Sequence, residues 1–451
     1  MVNYITQAKY LIIMTKKIIS ALFITIGAFF YQVDAQVSNL GVEVHPDNVS
    51  NTGTVTGIYA NSFFMWTPSL GLKNIGDVTN GIPASGTGSI SSDGSKIAMS
   101  ITNPGTNINE MTLYDVATQT HTYLGDLGAN SGGSSTTAYG ISSDGKTVVG
   151  LGWISGGTAH PVKWSAETGI IDMGSTVAGN SARANAVNAD GTVVGGWQDT
   201  DMGRTFAIWK NNTQTLVTEE TEYGTLPLNE VSDVSDNGVW AVGSSLLGYA
   251  TIWSEDTGVI KINHPDVSLD TGFSGAATSV NADGSMVVGY FRNLFDGTGT
   301  APDKGEGFIW TPTTGRVELT AYAKSLGIDT QDVTFNLPTG ISPNGKYITG
   351  WGKKNGSPIG FRLELPDPVM AVNNIDKKIV SIYPNPVKDV LNIGGASIIT
   401  NVEIYDTSGQ KVLDVKGMKG RQLNVNKLPK GAYFLKGIFD GQKHTLKIIK
   451  E

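Results

Sequence analysis

The 451-residue chain contains no cysteine. That excludes disulfides, thiolate metal sites and a cysteine nucleophile. Charged residues make up only 16% of the chain, and its five histidines, His45, His121, His160, His264 and His444, show no metal-ligand spacing. No Gly-x-Ser-x-Gly elbow marks a hydrolase serine. Nothing in the motifs calls for a metal or an organic cofactor. Beyond the N-terminus there is no long apolar run and no sustained helical period. What the chain has in quantity is glycine, 57 residues, a profile that suits a turn-rich β protein better than a helical one.

The N-terminal 35 residues read as a signal peptide. Lys16 and Lys17 form a basic start, residues 18–30 are apolar, and Val33 and Ala35 occupy the small-residue cleavage positions, so cleavage is expected after Ala35. Met14 is an alternative start. The apolar run is shorter than the roughly 20 residues that a spanning helix needs. Charge is unevenly spread. Residues 37–374 hold 16 Lys and Arg against 32 Asp and Glu, whereas residues 375–451 hold 13 against 7. The asymmetry predicts two domains. An acidic body disfavours nucleic acid, whose phosphates it repels.

A turn motif recurs through the body, as in "ISSDGKTVVG" (141–150), "VNADGTVVGG" (187–196) and "ISPNGKYITG" (341–350). Its glycines are Gly53, Gly94, Gly145, Gly191, Gly238, Gly284 and Gly345, separated by 41, 51, 46, 47, 46 and 61 residues. Asp-Gly between alternating runs signals a hairpin, with a type I′ turn expected because it needs positive φ. A second element follows each turn and ends in Trp66, Trp164, Trp209, Trp253 or Trp310, with Tyr114 and Leu363 in the two other slots. Each unit thus offers four short strands in about 46 residues. That period predicts a seven-bladed β-propeller over residues 37–365, with the recurrent tryptophans as inter-blade core. The last unit lacks a fourth strand, and residues 38–46 are expected to supply it. A β-solenoid or open stack is the alternative topology, and the divergent first unit leaves six blades open. The turn motif and the slots "HPVKW" and "GFIW" resemble extracellular HAF-family repeats, although the literal His-Ala-Phe run is missing. That resemblance implies no established activity.

Residues 366–376 read as a linker, broken by prolines, and residues 377–451 as a small antiparallel β-sandwich. Four ordered motifs lie in this tail: Tyr383-Pro384-Asn385-Pro386; "IYDTSGQKV", with Tyr405, Asp406 and Gly409; "LPKGAYFL", with Gly431 and Tyr433; and the basic end from Lys447 to Lys450. Together they resemble the type A C-terminal sorting domain of type IX secretion. The resemblance implies contact with that secretion machinery, translocation across the outer membrane, and surface attachment or release.

Chemistry in the body is less legible. Asp233, Ser235, Asn237 and Gly238 follow the first half of an EF-type calcium loop, but Ser244 stands where its bidentate Glu belongs. The turns also resemble the Asp-box of propeller sialidases, with the wrong spacing. Hairpin turns are the favoured reading. Glu219, Glu220, Glu222, Glu230 and Asp233 form the densest acidic region, read as a solvated loop in preference to a glycosidase pair. Long inserts at 293–307 and 320–336 are expected on one ring face, the second carrying a short helix at "AYAKSLGI". Phe291, Phe295, Tyr322 and Phe335 are the aromatic candidates for stacking on a ligand, a glycan or a protein. The favoured function is ligand binding outside the cell. A glycan-degrading enzyme and a structural surface protein are the alternatives.

Overall fold

The computed structural model describes residues 37–77, 86–293, 305–366, 381–394, 399–406, 410–416, 418, 420–439 and 442–451. The expected signal peptide, Phe295 and Gly409 lie outside the described residues, as does nearly all of the expected linker. The chain divides into two compact units, 1–368 and 369–451.

Among its described residues the first unit contains seven antiparallel sheets, six of four strands and one of five. The strands of blade 1 fall within 45–77, blade 2 within 89–123, blade 3 within 136–172 and blade 4 within 182–216. Blade 5 spans 218–262, blade 6 spans 273–318 and blade 7 spans 333–364. The missing strand of blade 7 comes from the N-terminal side. Val37–Val42 pairs antiparallel with Ser357–Glu364, setting Val37 opposite Leu363 and Val42 opposite Ile359. Residues 45–49 already belong to blade 1, so the closing strand is shorter than expected. Sealing a propeller this way removes the exposed strand edge that an open stack would leave.

The repeated motif makes one particular turn. Among its residues only the glycine has positive φ, between +67° and +80° across the seven blades. A type I′ turn needs two such residues, so the expected type is corrected to a type I-like turn followed by a left-handed glycine. Side-chain bonding explains the difference. In blade 3, Ser142 Oγ accepts the Thr147 N–H at 2.9 Å and Asp144 Oδ1 accepts the Lys146 N–H at 3.0 Å. In blade 4, Asn188 and Asp190 accept from Val193 and Thr192 in the same way. Ser or Asn in the first slot and Asp or Asn before glycine are therefore turn acceptors.

The tryptophan slots coincide in register: Trp66, Trp164, Trp209, Trp253 and Trp310 lie opposite Val55, Val148, Val194, Ala241 and Val287. Tyr114 and Leu363 hold the same place opposite Ile97 and Ile348. Trp209 is fully buried, Trp66 nearly so, and Trp164, Trp253 and Trp310 pack half-buried against neighbouring cores. One seven-residue helix, Leu319–Ser325, links blades 6 and 7. Glu318 caps it by accepting the Thr320 and Ala321 N–H groups, and Leu319 and Ala323 bury against Val333 and Phe335.

The second unit is two sheets, one of three and one of four strands, around a core that includes Val387, Leu391, Val402, Ile404, Tyr433, Leu435 and Ile448. Its motifs meet in space. Asn385 donates to the Lys447 carbonyl and accepts the Ile449 N–H, so the Pro-Asn-Pro segment is stitched to the basic terminal strand. Asp406 accepts the Gln410 N–H across the hairpin, and the Tyr433 hydroxyl donates to the Pro429 carbonyl. Tyr383, Gly431 and Lys447 are exposed, Tyr405 is half-buried with its hydroxyl on Glu403, and Lys450 is buried.

Candidate functional site

The innermost strands of the seven blades enclose a cavity of about 300 Å³ on the ring axis. A repeated irregularity shapes its wall. In six blades the first strand carries a β-bulge whose extra residue lies six positions before the turn glycine: Asp47, Tyr139, Asn185, Ser232, Thr278 and Thr339. A bulge re-aims the side chain at its centre, and all six of these residues line the cavity. Thr87 and Ser89 complete the wall at blade 2.

Most of these side chains also reach the next blade. Asp47 Oδ2 accepts the Gly88 N–H at 2.8 Å, Ser89 Oγ donates to the Tyr139 carbonyl at 2.8 Å, and Asn185 Nδ2 donates to the Val231 carbonyl at 2.6 Å. Thr278 and Thr339 donate to the Pro338 and Pro46 carbonyls at 2.8 and 2.9 Å. Asp233 joins blade 5 to blade 6, accepting from Ser279 Oγ at 2.7 Å and the Val280 N–H at 3.0 Å. Between blades 3 and 4 the backbones approach closely instead. A Cβ on Gly140 would sit 2.8 Å from the Asn185 carbonyl oxygen, and Arg183 lies over the Tyr139 ring at 4.1 Å.

At one end of the cavity the hairpin turns form a collar. The seven hairpin turns touch in sequence: Asn51 N–H bonds to Ser92, Ser92 to Ser143, Asp144 to Ala189 and Ala189 to Asp236. Asn237 N–H then bonds to Ala282, Ala282 to Pro343, and Asn344 N–H returns to the Asn51 side chain. Chains bonded through their backbones lie about 4.8 Å apart, so seven such steps close a circle of roughly 5.5 Å radius between backbones. Side chains fill part of that circle. Ser143 Oγ donates to Asp236 Oδ1 at 2.6 Å, passing over blade 4, where Ala189 is too small to separate them. The site is a channel on the ring axis that the turn collar narrows at one end.

The charged residues lining the channel are Asp47 and Asp233, both carboxylates. Each keeps partial solvent access but is otherwise surrounded by the ring. That enclosure penalises the charged form and raises Asp47 to about 7 and Asp233 to about 6, against the hydrogen bonds that favour ionisation. Burial also raises Asp236 in the turn collar. Among the described residues no Lys, Arg or His pairs with Asp47 or Asp233, and no group of three or more acidic or His side chains could hold a metal ion.

Sequence reasoning placed the aromatic candidates elsewhere. Phe291 is fully buried, packed on Phe273, Phe308 and His264, and Phe335 is buried against Phe361. Neither offers a face to a ligand, so both are corrected to core positions. Tyr322 is half-buried on the helix and packs against the core of blades 6 and 7. The acidic region divides: Asp233 points into the channel, Glu230 pairs with Arg183 and Arg204, Glu219 pairs with Lys261, and Glu220 and Glu222 lie near the outer rim. Nothing in residue type marks the bulge positions, since Asp47, Tyr139, Asn185, Ser232, Thr278 and Thr339 share only their offset from the turn glycine.

Residues 381–451 match the family described as "Secretion system C-terminal sorting domain". The match leaves the repeat body uncovered. No curated protein sequence matches the chain. Among solved structures, TolB from Acinetobacter baumannii is similar at 15% identity and a TM-score of 0.39, over 62% of this chain and 63% of that one, a little under two thirds of its length. An oligogalacturonate lyase in complex with manganese aligns at 15% identity and a TM-score of 0.46, over 74% of this chain and 94% of that one. PorZ, an essential surface component of the type IX secretion system of Porphyromonas gingivalis, aligns at 12% identity and a TM-score of 0.35, over 90% and 51%. The tail is a type IX sorting domain and marks the protein for export, followed by surface attachment or secretion. Among the described residues no helix is long and apolar enough to cross a membrane.

Proposed function

For a chain that ends in a secretion-system sorting domain, we propose that the propeller binds a hydroxyl-rich extracellular ligand of the glycan type in its axial channel. One observation carries this reading: the channel is walled by hydroxyls, amides and two carboxylates held in place by inter-blade hydrogen bonds. A wall already anchored loses little freedom when a ligand binds. Its volume suits a sugar unit, at the small end of ligand pockets, which run from roughly 300 Å³ upward. Tyr139 and Tyr290 add aromatic surface.

The test is a glycan and peptide binding screen on the whole protein, run beside a hydrolysis assay, with Ser232→Trp as the blocked control. Ser232 lines the channel and makes no side-chain hydrogen bond, so the indole fills space without removing a strut. Saturable glycan binding lost in Ser232→Trp supports the reading. Absence of both binding and turnover leaves a structural surface protein.

A second reading, a glycan-degrading enzyme, draws support from Asp47 and Asp233, since raised carboxyl groups in a cleft suit acid–base work. Asp233 speaks against it, because three protein donors already occupy its carboxylate. Asp47 has one. Turnover abolished by Asp47→Asn with binding retained would favour the enzyme.

A further inference from the structure

The channel mouth does not end the concave surface. Tyr290 lines both the channel and a second cavity of about 410 Å³ between blades 5 and 6. Ser268 and Leu269 are shared between that cavity and a third, of about 540 Å³, at the outer rim. The three therefore adjoin in a line running from the axis to the edge. Small residues make the middle section, with Ser244, Gly248, Gly272, Ser274 and Gly275 in its walls. The outer section holds Tyr223, which is 71% exposed on the hairpin formed by Thr218–Thr221 and the start of Gly224–Val234, and Leu269, 57% exposed. The hairpin's first strand is a fifth one in blade 5, where the other blades have four among the described residues.

Charge along the line leans acidic, with Arg292 the cation beside the Tyr290 ring, 5.3 Å from its centroid. Lys261 is occupied by Glu219 at 2.7 Å, and His264 by Glu306 at 3.1 Å. Glu230 is balanced by Arg183 and Arg204. Asp47, Asp233, Glu220 and Glu222 have no cationic partner among the described residues. An anionic polymer would meet these carboxylates without a compensating cation. A neutral sugar can donate hydroxyls to Asp47, Glu220 and Glu222, and an amino sugar adds opposite charge.

We propose that the ligand is a linear oligosaccharide, uncharged or amino-bearing, with one end in the channel and its body along the cleft between blades 5 and 6. This rests on the glycan-binding reading above and extends it to chain length and charge. Tyr290 and Tyr223 supply apolar ring faces at the inner and outer sections, and serine hydroxyls line the path between them.

The experiment is calorimetric titration of the whole protein and two variants. The neutral probes are cellohexaose, maltohexaose and mannohexaose with their disaccharides; a chitosan hexamer and hexagalacturonate supply the charged arms. Ser274→Trp blocks the cleft at a serine whose side chain makes no hydrogen bond, and Ser232→Trp blocks the channel. Expected results are at least tenfold tighter binding of a hexamer than of its disaccharide, and loss of that gain in Ser274→Trp with disaccharide binding unchanged. Hexagalacturonate should bind at least tenfold more weakly than the best neutral or amino hexamer. Length-independent affinity, an inert Ser274→Trp, or hexagalacturonate binding as tightly as the others overturns the extended site while the channel reading stands, provided Ser232→Trp still abolishes binding. No binding by any neutral or amino sugar, or an inert Ser232→Trp, overturns both.

Discussion

The two ends of the channel are made from the same seven repeats and behave oppositely. At the collar the repeats agree: each contributes one turn and each touches the next in a ring, and in all but blade 1, where Thr52 precedes the glycine, the turn uses the same pair of side-chain acceptors. At the other end they diverge, with a fifth strand in blade 5, a helix between blades 6 and 7, and bulge residues ranging from Thr278 to Tyr139. Near uniformity is what closing a ring requires, because every turn must reach the next one. Variation is what recognition requires, since a ligand is not seven-fold symmetric. The repeat informs architecture, and its exceptions mark where binding is to be sought.

Substitutions can break this contrast. Deleting residues 37–42 should have the largest effect, because it exposes the edge of Ser357–Glu364 and unseals the ring. Urea unfolding should lose its single cooperative transition; an unchanged midpoint would show that blade 7 closes without that strand. Trp209→Ala removes a fully buried inter-blade side chain and should cost about 3–5 kcal/mol, whereas half-buried Trp164→Ala should cost less by the same assay. In the collar, Gly284→Ala forces a side chain onto a residue at φ +80°, with its Cβ 2.1 Å from Trp240 Cδ1. Gly258 has φ +67° and open space around it, so Gly258→Ala should pay only the left-handed penalty of about 1–2 kcal/mol and Gly284→Ala clearly more.

The channel carboxylates give a pH signature. Asp47 at about 7 and Asp233 at about 6 stand above the ordinary 3.8, so the folded protein holds protons that the unfolded chain releases near pH 4. Their contribution is present in full below pH 4 and is lost as pH rises to about 7, which makes stability fall across that interval and then level off. Asp47→Asn should flatten the upper part of the fall. Identical pH profiles for Asp47→Asn and the unaltered protein would contradict the enclosed carboxyl. At the mouth, Tyr223→Ala and Leu269→Ala alter exposed side chains and should shift stability by no more than about 0.5 kcal/mol, the smallest change, detectable mainly in ligand titrations.

Much of the fold was legible because its signals are local and repeated. The turn glycines marked every blade, and the tryptophan slot marked one register position on the third strand. The tail was legible for another reason: its motifs come in order, and the structure joins two of them through Asn385. The channel was not legible in advance. A bulge flips the face of a strand, so period-two reasoning assigns Asp47, Tyr139 and Asn185 without knowing that they turn inward. Phe291 and Phe335 misled because they flank long inserts, while their own strands bury them between blades. Burial depends on which blade lies beside which, and an alternating run does not encode its neighbour.

The central claim is that a ligand enters the axial channel past the variable face. The most direct measurement is calorimetric titration of the tightest neutral hexasaccharide against the unaltered protein and Ser232→Trp, with a thermal melt of each. The account predicts saturable binding by the unaltered protein, none by Ser232→Trp, and melting points within a few degrees of each other. Equal affinity in the two proteins would contradict it.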